Sequence, residues 1–271
     1  MSTRLRLDVA YDGTDFSGWA AQPQRRTVAG ELRAVLERLF GGVEGLTVAG
    51  RTDAGVHATG QVCHVDVPTE RWESIGGALV RKLAQLLPPD VRVRAVTEAP
   101  AEFDARFSAL SRRYEYRVAD APYGAEPLRR RDTVAWPRPL DVGLLNAAAA
   151  GLVGEHDFAA FCRRKEHATT IRAVSALHWR RDPDGVVVAS VTADAFCWSM
   201  VRSLVGAQLV VGDGRRPPSW PASLLSRTIR ADEVMVAPAH GLTLVEVLYP
   251  ADVSALRERA ELTRRRRDAA G

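Results

Sequence analysis

Cysteine is scarce in this chain. Cys63, Cys162 and Cys197 are scattered, with no Cys-x-x-Cys pair, which argues against a disulfide framework and against a zinc site. Each is expected to be a small buried hydrophobe. Lysine is scarcer still: Lys82 and Lys165 are the whole complement, and every other basic side chain is Arg. Codon bias in a GC-rich genome accounts for most of that preference; the functional reading is phosphate contact, where a guanidinium offers a bidentate fork. No apolar run has the length a membrane span needs. Met1 to Arg6 passes straight into alternation without a secretory apolar segment. A cytoplasmic protein without a membrane partner is therefore expected. No glycine-rich nucleotide loop and no metal-ligand spacing is visible, so no cofactor and no metal ion are expected.

What is present suits a globular chain with ample core. The 271 residues are 46% hydrophobic, the net charge is +4 and the pI about 9.2. That balance permits a polyanionic partner without demanding one. Leu5, Leu7, Val9 and Tyr11 alternate with polar residues, the pattern of a half-buried strand. It ends in a turn-rich loop, Tyr11-Asp12-Gly13-Thr14-Asp15-Phe16-Ser17-Gly18-Trp19. Thr27 is placed to cap a helix with apolar positions at Val28, Leu32, Val35, Leu36, Leu39 and Phe40, stopped by Gly41-Gly42. A second helix is expected over Arg71 to Leu87, before Pro88-Pro89, and a strand over Val91 to Val96.

Between those helices lies the stretch with chemical content. The apolar run Leu46 to Ala49 enters a polar turn in which Gly50 and Gly55 bracket Arg51, Thr52 and Asp53, and the chain leaves through β-rich Gln61 to Val67. Glycine allows φ > 0 and close approach of another backbone. A carboxylate beside an arginine favours its charged form, which suits a nucleophile or base. Turn chemistry alone would also explain an isolated Asp-Ala-Gly.

Further on, Tyr114, Tyr116 and Val118 share one face of an alternating run and Arg113, Glu115 and Arg117 the other. Periodicity favours two core tyrosines; the functional reading is a flat ring for a flipped-out pyrimidine. Residues 119–138 are rich in Pro and Arg, an irregular connection. Asp141 is expected to cap a helix through Leu152, and His156 to serve a local turn. Cys162 to His167 is a basic loop, a candidate contact for a polyanionic partner. Ile171 to Arg180 and Val186 to Val191 form a hairpin across Asp182-Pro183-Asp184-Gly185. Ala195 to Gly206 reads as a helix with Arg202 on its flank, and Trp220 to Arg230 as a short one. A loop through Ala237-Pro238 leads to a last strand from Leu242. Arg264 to Arg267 end a short helical pattern in a mobile basic tail.

The expected class is α/β (α+β): two similar RRM- or ferredoxin-like halves, residues 1–118 and 119–250, with a joined, mainly antiparallel sheet and a basic central cleft, followed by the tail 251–271.

The string Gly-Arg-Thr-Asp-Ala-Gly-Val-His-Ala at residues 50–58 resembles the active-site motif of the TruA family of tRNA pseudouridine synthases. The likeness extends to the Tyr-Asp-Gly loop with Gly18-Trp19, to Ala105-Arg106-Phe107-Ser108 followed by Arg112-Arg113-Tyr114-Glu115-Tyr116, to Met200-Val201-Arg202, and to Ala237-Pro238 with Gly241-Leu242-Thr243-Leu244. These five segments keep the family's order over roughly residues 4–250. Ala20 and Trp198-Ser199 depart from its usual residues. The resemblance implies isomerisation of uridine to pseudouridine in the anticodon stem-loop, at tRNA positions 38, 39 and 40, by a homodimer needing neither metal nor cofactor. It implies Asp53 as nucleophile, with Arg202, and Arg51 two residues before Asp53, keeping it charged. Arg51 has a second possible task, filling the space the extruded base leaves. Tyr114 would stack on the uracil and Leu242 close the pocket, with Leu244 as its rival. An RNA-binding module that has lost catalysis, or a carboxylate N-glycosidase acting on free nucleosides, remains the alternative.

Overall fold

The opening alternation forms β1, Ser2–Tyr11, in which Leu5, Leu7, Val9 and Tyr11 are all buried. A computed structural model describes residues 1–163 and 169–268, with side chains as far as Arg264. It divides into two units, Met1–Leu110 with Leu244–Arg266, and Ser111–Thr243. The tyrosine strand thus begins the second unit, and residues 244–266 return to the first.

In the first unit β1 is followed by α1, Val28–Phe40. The Thr27 side chain accepts a hydrogen bond from the Gly30 N–H at 3.3 Å, and Gly41 ends the helix in the left-handed region at φ +76°. The cap satisfies an N–H that the first turn leaves without a helical partner. Strands β2, Glu44–Val48, and β3, His57–Pro68, flank the polar turn and pair antiparallel. The expected second helix is two: α2, Thr69–Ile75, and α3, Leu79–Leu86, separated by a 3₁₀ turn over Gly76–Ala78. Gly76, at φ +36°, breaks the first; adjacent glycines are poor helix formers. Strand β4, Val91–Glu98, completes the run. Both β4 and β3 pair antiparallel with β1, giving the order β4-β1-β3 with β2 on β3.

The second unit opens with β5, Ser111–Ala119, and a short parallel partner β6, Val134–Ala135. Helix α4, Val142–Ala150, is capped by Asp141, whose Oδ1 accepts from the Leu144 N–H at 3.0 Å. Strand β7, Gly154–Asp157, precedes a 3₁₀ turn over Ala159–Phe161. The hairpin arms are β8, Ile171–Arg181, and β9, Val187–Ala193. Their antiparallel order is β5-β9-β8-β7. Helix α5 is Met200–Gly212, starting five residues later than the apolar pattern suggested, because Ser199 at φ +63° cannot lie in a right-handed helix. The expected helix over Trp220 to Arg230 shrinks to α6, Trp220–Ser223, with a 3₁₀ turn over Leu224–Ser226. Strand β10 is Leu242–Leu248. The α/β class and the mainly antiparallel pairing are as expected.

Two further expectations differ from the structure. Residues 251–271 were expected to be a basic mobile tail; over Val253–Asp268 the chain is instead helix α7, whose residues as far as Arg266 group with the first unit. Leu256 and Ala260 are buried, the Arg259 Nε donates to the Ala109 carbonyl at 3.3 Å, and Arg264 pairs with Asp104 at 3.0 Å. The arginine run masks an apolar pair four residues apart, which shares one helical face. Cys162 and Cys197, expected as unpaired hydrophobes, form a disulfide across 35 residues of sequence. Cys63 is the free buried thiol, its pKa pushed up by desolvation.

Candidate active site

Asp53 lies half-buried in the turn between β2 and β3. The turn is closed by the Val56 N–H donating to the Asp53 carbonyl at 3.2 Å, and Gly55 takes φ +77°. That conformation is costly for a residue with a Cβ. The turn is held from outside by the loop that follows β1. The Trp19 N–H donates to the Thr52 carbonyl at 3.1 Å, the Gly55 N–H to the Phe16 carbonyl at 3.3 Å, and the Gly13 N–H to His57 Nδ1 at 2.9 Å.

Two glycines make this clasp possible. A Cβ on Gly13 would lie 2.0 Å from the Val56 carbonyl oxygen, and one on Gly18, already at φ +95°, 2.9 Å from the Thr52 oxygen. A buried polar chain braces the other side of the turn. Gln61 Nε2 donates to the Gly50 carbonyl at 2.8 Å and to the Tyr11 hydroxyl at 3.2 Å, which is 2.8 Å from the Thr52 hydroxyl. Asp53 therefore stands on a backbone fixed at both flanks, the preorganisation a reacting group requires. Arg51, two residues before it, is exposed.

The other three expected site residues belong to the second unit. Tyr114 on β5 is 8% exposed and meets Phe196 edge-on, with centroids 5.2 Å apart and planes at 89°. Arg202, in the first turn of α5, is half-buried; its Nε donates to the Ala237 carbonyl at 2.7 Å, and the Ala237 N–H donates to the Arg202 carbonyl at 3.0 Å. It is thus not the surface side chain that its flank position allowed. The adjoining Pro238 carbonyl accepts from the Tyr116 hydroxyl at 2.8 Å. Burial pushes the Tyr116 phenol pKa up, opposed by the charge of Arg202. A 3₁₀ turn, Ala239–Gly241, then delivers Leu242, which is buried, as is Leu244. In this unit, then, β5, the start of α5 and the turn before β10 meet around Tyr116, Arg202 and residues 237–242.

Sequence reasoning missed the supporting residues: Gly13, Gly18, His57 and Gln61 around the Asp53 turn, and Phe196 beside Tyr114. The Asp-Gly and Gly-Trp pairs advertised a turn, but not that its partners were the residues from Thr52 to His57. His156 contacts the Val153 carbonyl at 3.1 Å, in keeping with a local role. Of the basic loop at 162–167, Arg164 to His167 lie outside the described residues. Among the described residues, no group of three or more His, Cys, Asp or Glu side chains is arranged to hold a metal ion, and no helix is long and apolar enough to cross a membrane.

Comparison with known proteins adds a family. A model of a family described as tRNA pseudouridine synthase matches residues 148–250. A tRNA pseudouridine synthase A of Frankia casuarinae is 62% identical over 263 residues, covering 96% of this chain and 94% of the relative. Proteins of the same name from Streptomyces griseus and Mycobacterium leprae are 56% and 52% identical, over 92% and 96% of this chain and 89% and 94% of their own lengths.

Proposed function

The chain belongs to the tRNA pseudouridine synthase A family and isomerises uridine to pseudouridine in tRNA; within that reaction we propose that Asp53 is the nucleophile. The observation that carries the assignment is the Asp53 turn, whose carboxylate-bearing residue is clasped by backbone bonds on both flanks. The reaction breaks the N1–C1′ bond of the nucleoside and joins C1′ to C5. The C5 proton leaves and N1 gains one, so nothing is oxidised or reduced. A carboxylate suits this chemistry, as it can attack carbon and accept a proton.

The remaining roles follow the family resemblance residue by residue. Arg202 would keep the Asp53 carboxylate charged and placed, a task compatible with its anchored Nε. Tyr114 would stack on the uracil, and Leu242 would close the pocket against it. Arg51, exposed on the same turn as Asp53, is suited to fill the space left by the extruded base. Extrusion costs a few kcal/mol, which phosphate contacts by arginines can offset. The substrate site is the anticodon stem-loop at positions 38, 39 and 40, read mostly by shape, because A-form grooves hide base edges. The active form is a cytoplasmic homodimer.

The test uses unmodified tRNA carrying tritium at uracil C5. Bonding at C5 must expel the tritium. Wild type should release it and Asp53→Asn should not, while binding tRNA equally well. Release by Asp53→Asn at the wild-type rate would remove Asp53 from the mechanism. Wild type that binds tRNA without release would favour an RNA-binding module, and cleavage of free uridine a glycosidase. Transcripts with uridine at only one of the three positions locate the site, and sedimentation of the pure protein tests the dimer.

A further inference from the structure

We propose that Phe196 is a positioning residue, holding the plane of the Tyr114 ring at the angle the target base must meet. The inference rests on the reading of Tyr114 as the ring that stacks on the uracil. The two rings are 5.2 Å apart at 89°. Edge-to-face contact depends on orientation, so it constrains the tilt of Tyr114 as well as its location. Phe196 itself is only half-buried. A phenylalanine whose sole task was to fill the core would gain by burying the rest of its ring.

The segment that carries Phe196, between β9 and α5, is tied at both ends. At its start Asp194 is a junction. Its Oδ1 accepts from the N–H groups of Ala173 at 3.0 Å and Ala195 at 2.8 Å, and its own N–H donates to the Ala173 carbonyl at 3.2 Å. The Asp194 carbonyl accepts from Arg112 Nη1 at 2.7 Å. Arg112 is buried and stands two residues before Tyr114 on β5. The strand that presents Tyr114 therefore also grips the start of the segment that presents Phe196. At the far end Cys197 is bonded to Cys162, and the Trp198 carbonyl accepts from the Arg163 N–H at 3.0 Å. The Arg163 guanidinium lies 4.7 Å from the Trp198 ring centroid. Four residues beyond Trp198 comes Arg202.

A base arriving from tRNA loses less on stacking when its partner ring is already fixed, since the ordering has been done during folding. Phe196 does that for Tyr114, and the Asp194 junction does it for Phe196.

Four proteins test this: Phe196→Leu, Phe196→Tyr, Tyr114→Leu and the Phe196→Leu/Tyr114→Leu double variant, with Phe196→Met in reserve should Phe196→Leu fold poorly. The readouts are the single-turnover rate of tritium release at saturating enzyme and, separately, the Kd for tRNA. Phe196→Leu should slow the chemical step by roughly two- to tenfold, the range for one aromatic pair, with Kd unchanged. Phe196→Tyr, which keeps the ring edge, should restore the rate. In the Tyr114→Leu background, replacing Phe196 should cost nothing further. An equal loss in both backgrounds, a loss confined to Kd, or no loss at all would overturn the proposal. If Tyr114→Leu itself turned over at the wild-type rate, the stacking reading would fail first, and the inference with it.

Discussion

Gly13→Ala is the substitution that most sharply tests whether the loop after β1 positions Asp53. The added methyl would lie 2.0 Å from the Val56 carbonyl oxygen, 2.5 Å from its carbon and 3.1 Å from its nitrogen. All three are backbone atoms, so no side chain can swing aside. Carbon and oxygen do not approach closer than about 3.3 Å even in the weak contacts between strands, so the two backbones must part by roughly 1.3 Å. Val56 closes the Asp53 turn through its N–H, and the Gly13 N–H bond to His57 ties the same two segments. The displacement therefore reaches Asp53 directly. A misplacement of about 1 Å at a reacting group costs on the order of a hundredfold in rate, equivalent to about 2.7 kcal/mol of barrier. Overpacking should also cost about 1–3 kcal/mol of stability, which leaves a protein of this size folded at 25 °C. The assay is single-turnover tritium release from C5-labelled tRNA at saturating enzyme, with tRNA binding measured in parallel. Gly42→Ala is the control, because a Cβ there meets nothing within 4 Å. A Gly13→Ala protein with the wild-type rate would refute the idea that the clasp sets the position of Asp53.

Other expected outcomes follow from single features of the fold. His64 Nδ1 accepts from the Ala105 N–H at 2.9 Å, and burial, with the charge of Arg4, lowers its pKa from 6.5 to about 4. Between those values the unfolded chain binds more protons, so stability rises with pH there and falls on acidification from 6.5 toward 4, by at most about 1.4 kcal/mol per pH unit; denaturant titrations across that window should show the slope, and His64→Gln should flatten it. Reducing Cys162–Cys197 frees a loop of 35 residues, for which chain entropy sets a ceiling of about 4 kcal/mol; reductant should lower the melting temperature of wild type and leave that of the Cys162→Ser/Cys197→Ser double variant unchanged. Tyr116→Phe removes the 2.8 Å bond to the Pro238 carbonyl and should cost about 1 kcal/mol by chemical denaturation. Gly241→Ala should disturb the approach to Leu242 more, since its Cβ would sit 2.7 Å from Tyr116 Cζ and 2.8 Å from Val134 Cγ2; an unaltered rate of turnover would argue against a role for that turn.

Much of the fold was written in local pattern. Alternation in β1 and β5, the apolar stripe and Thr27 cap of α1, the Asp141 cap of α4 and the Asp-Pro-Asp-Gly hairpin all stand where periodicity and turn chemistry put them. These signals are legible because helix and strand repeat every few residues and caps act on neighbours. The Asp53 turn was legible too, since Gly55 and the flanking strands mark it within a dozen residues. Where local signals competed, the reading failed: Gly76-Gly77 split a helix whose apolar spacing ran on, and Ser199 delayed the start of α5.

What only the tertiary structure decided has a common cause, separation along the chain. Gly13 needs to be glycine because of Val56, Phe196 matters because of Tyr114, and Cys162 finds Cys197, yet none of these pairs leaves a mark in either partner's neighbourhood. Leu256 and Ala260 make a docked helix of what charge alone presented as a tail, because the surface they bury against belongs to residues far earlier in the chain. Local sequence determined which segments would be helix, strand and reactive turn. Which of them would brace one another depended on burial and hydrogen bonding between distant residues, and those energies exist only once the chain has folded.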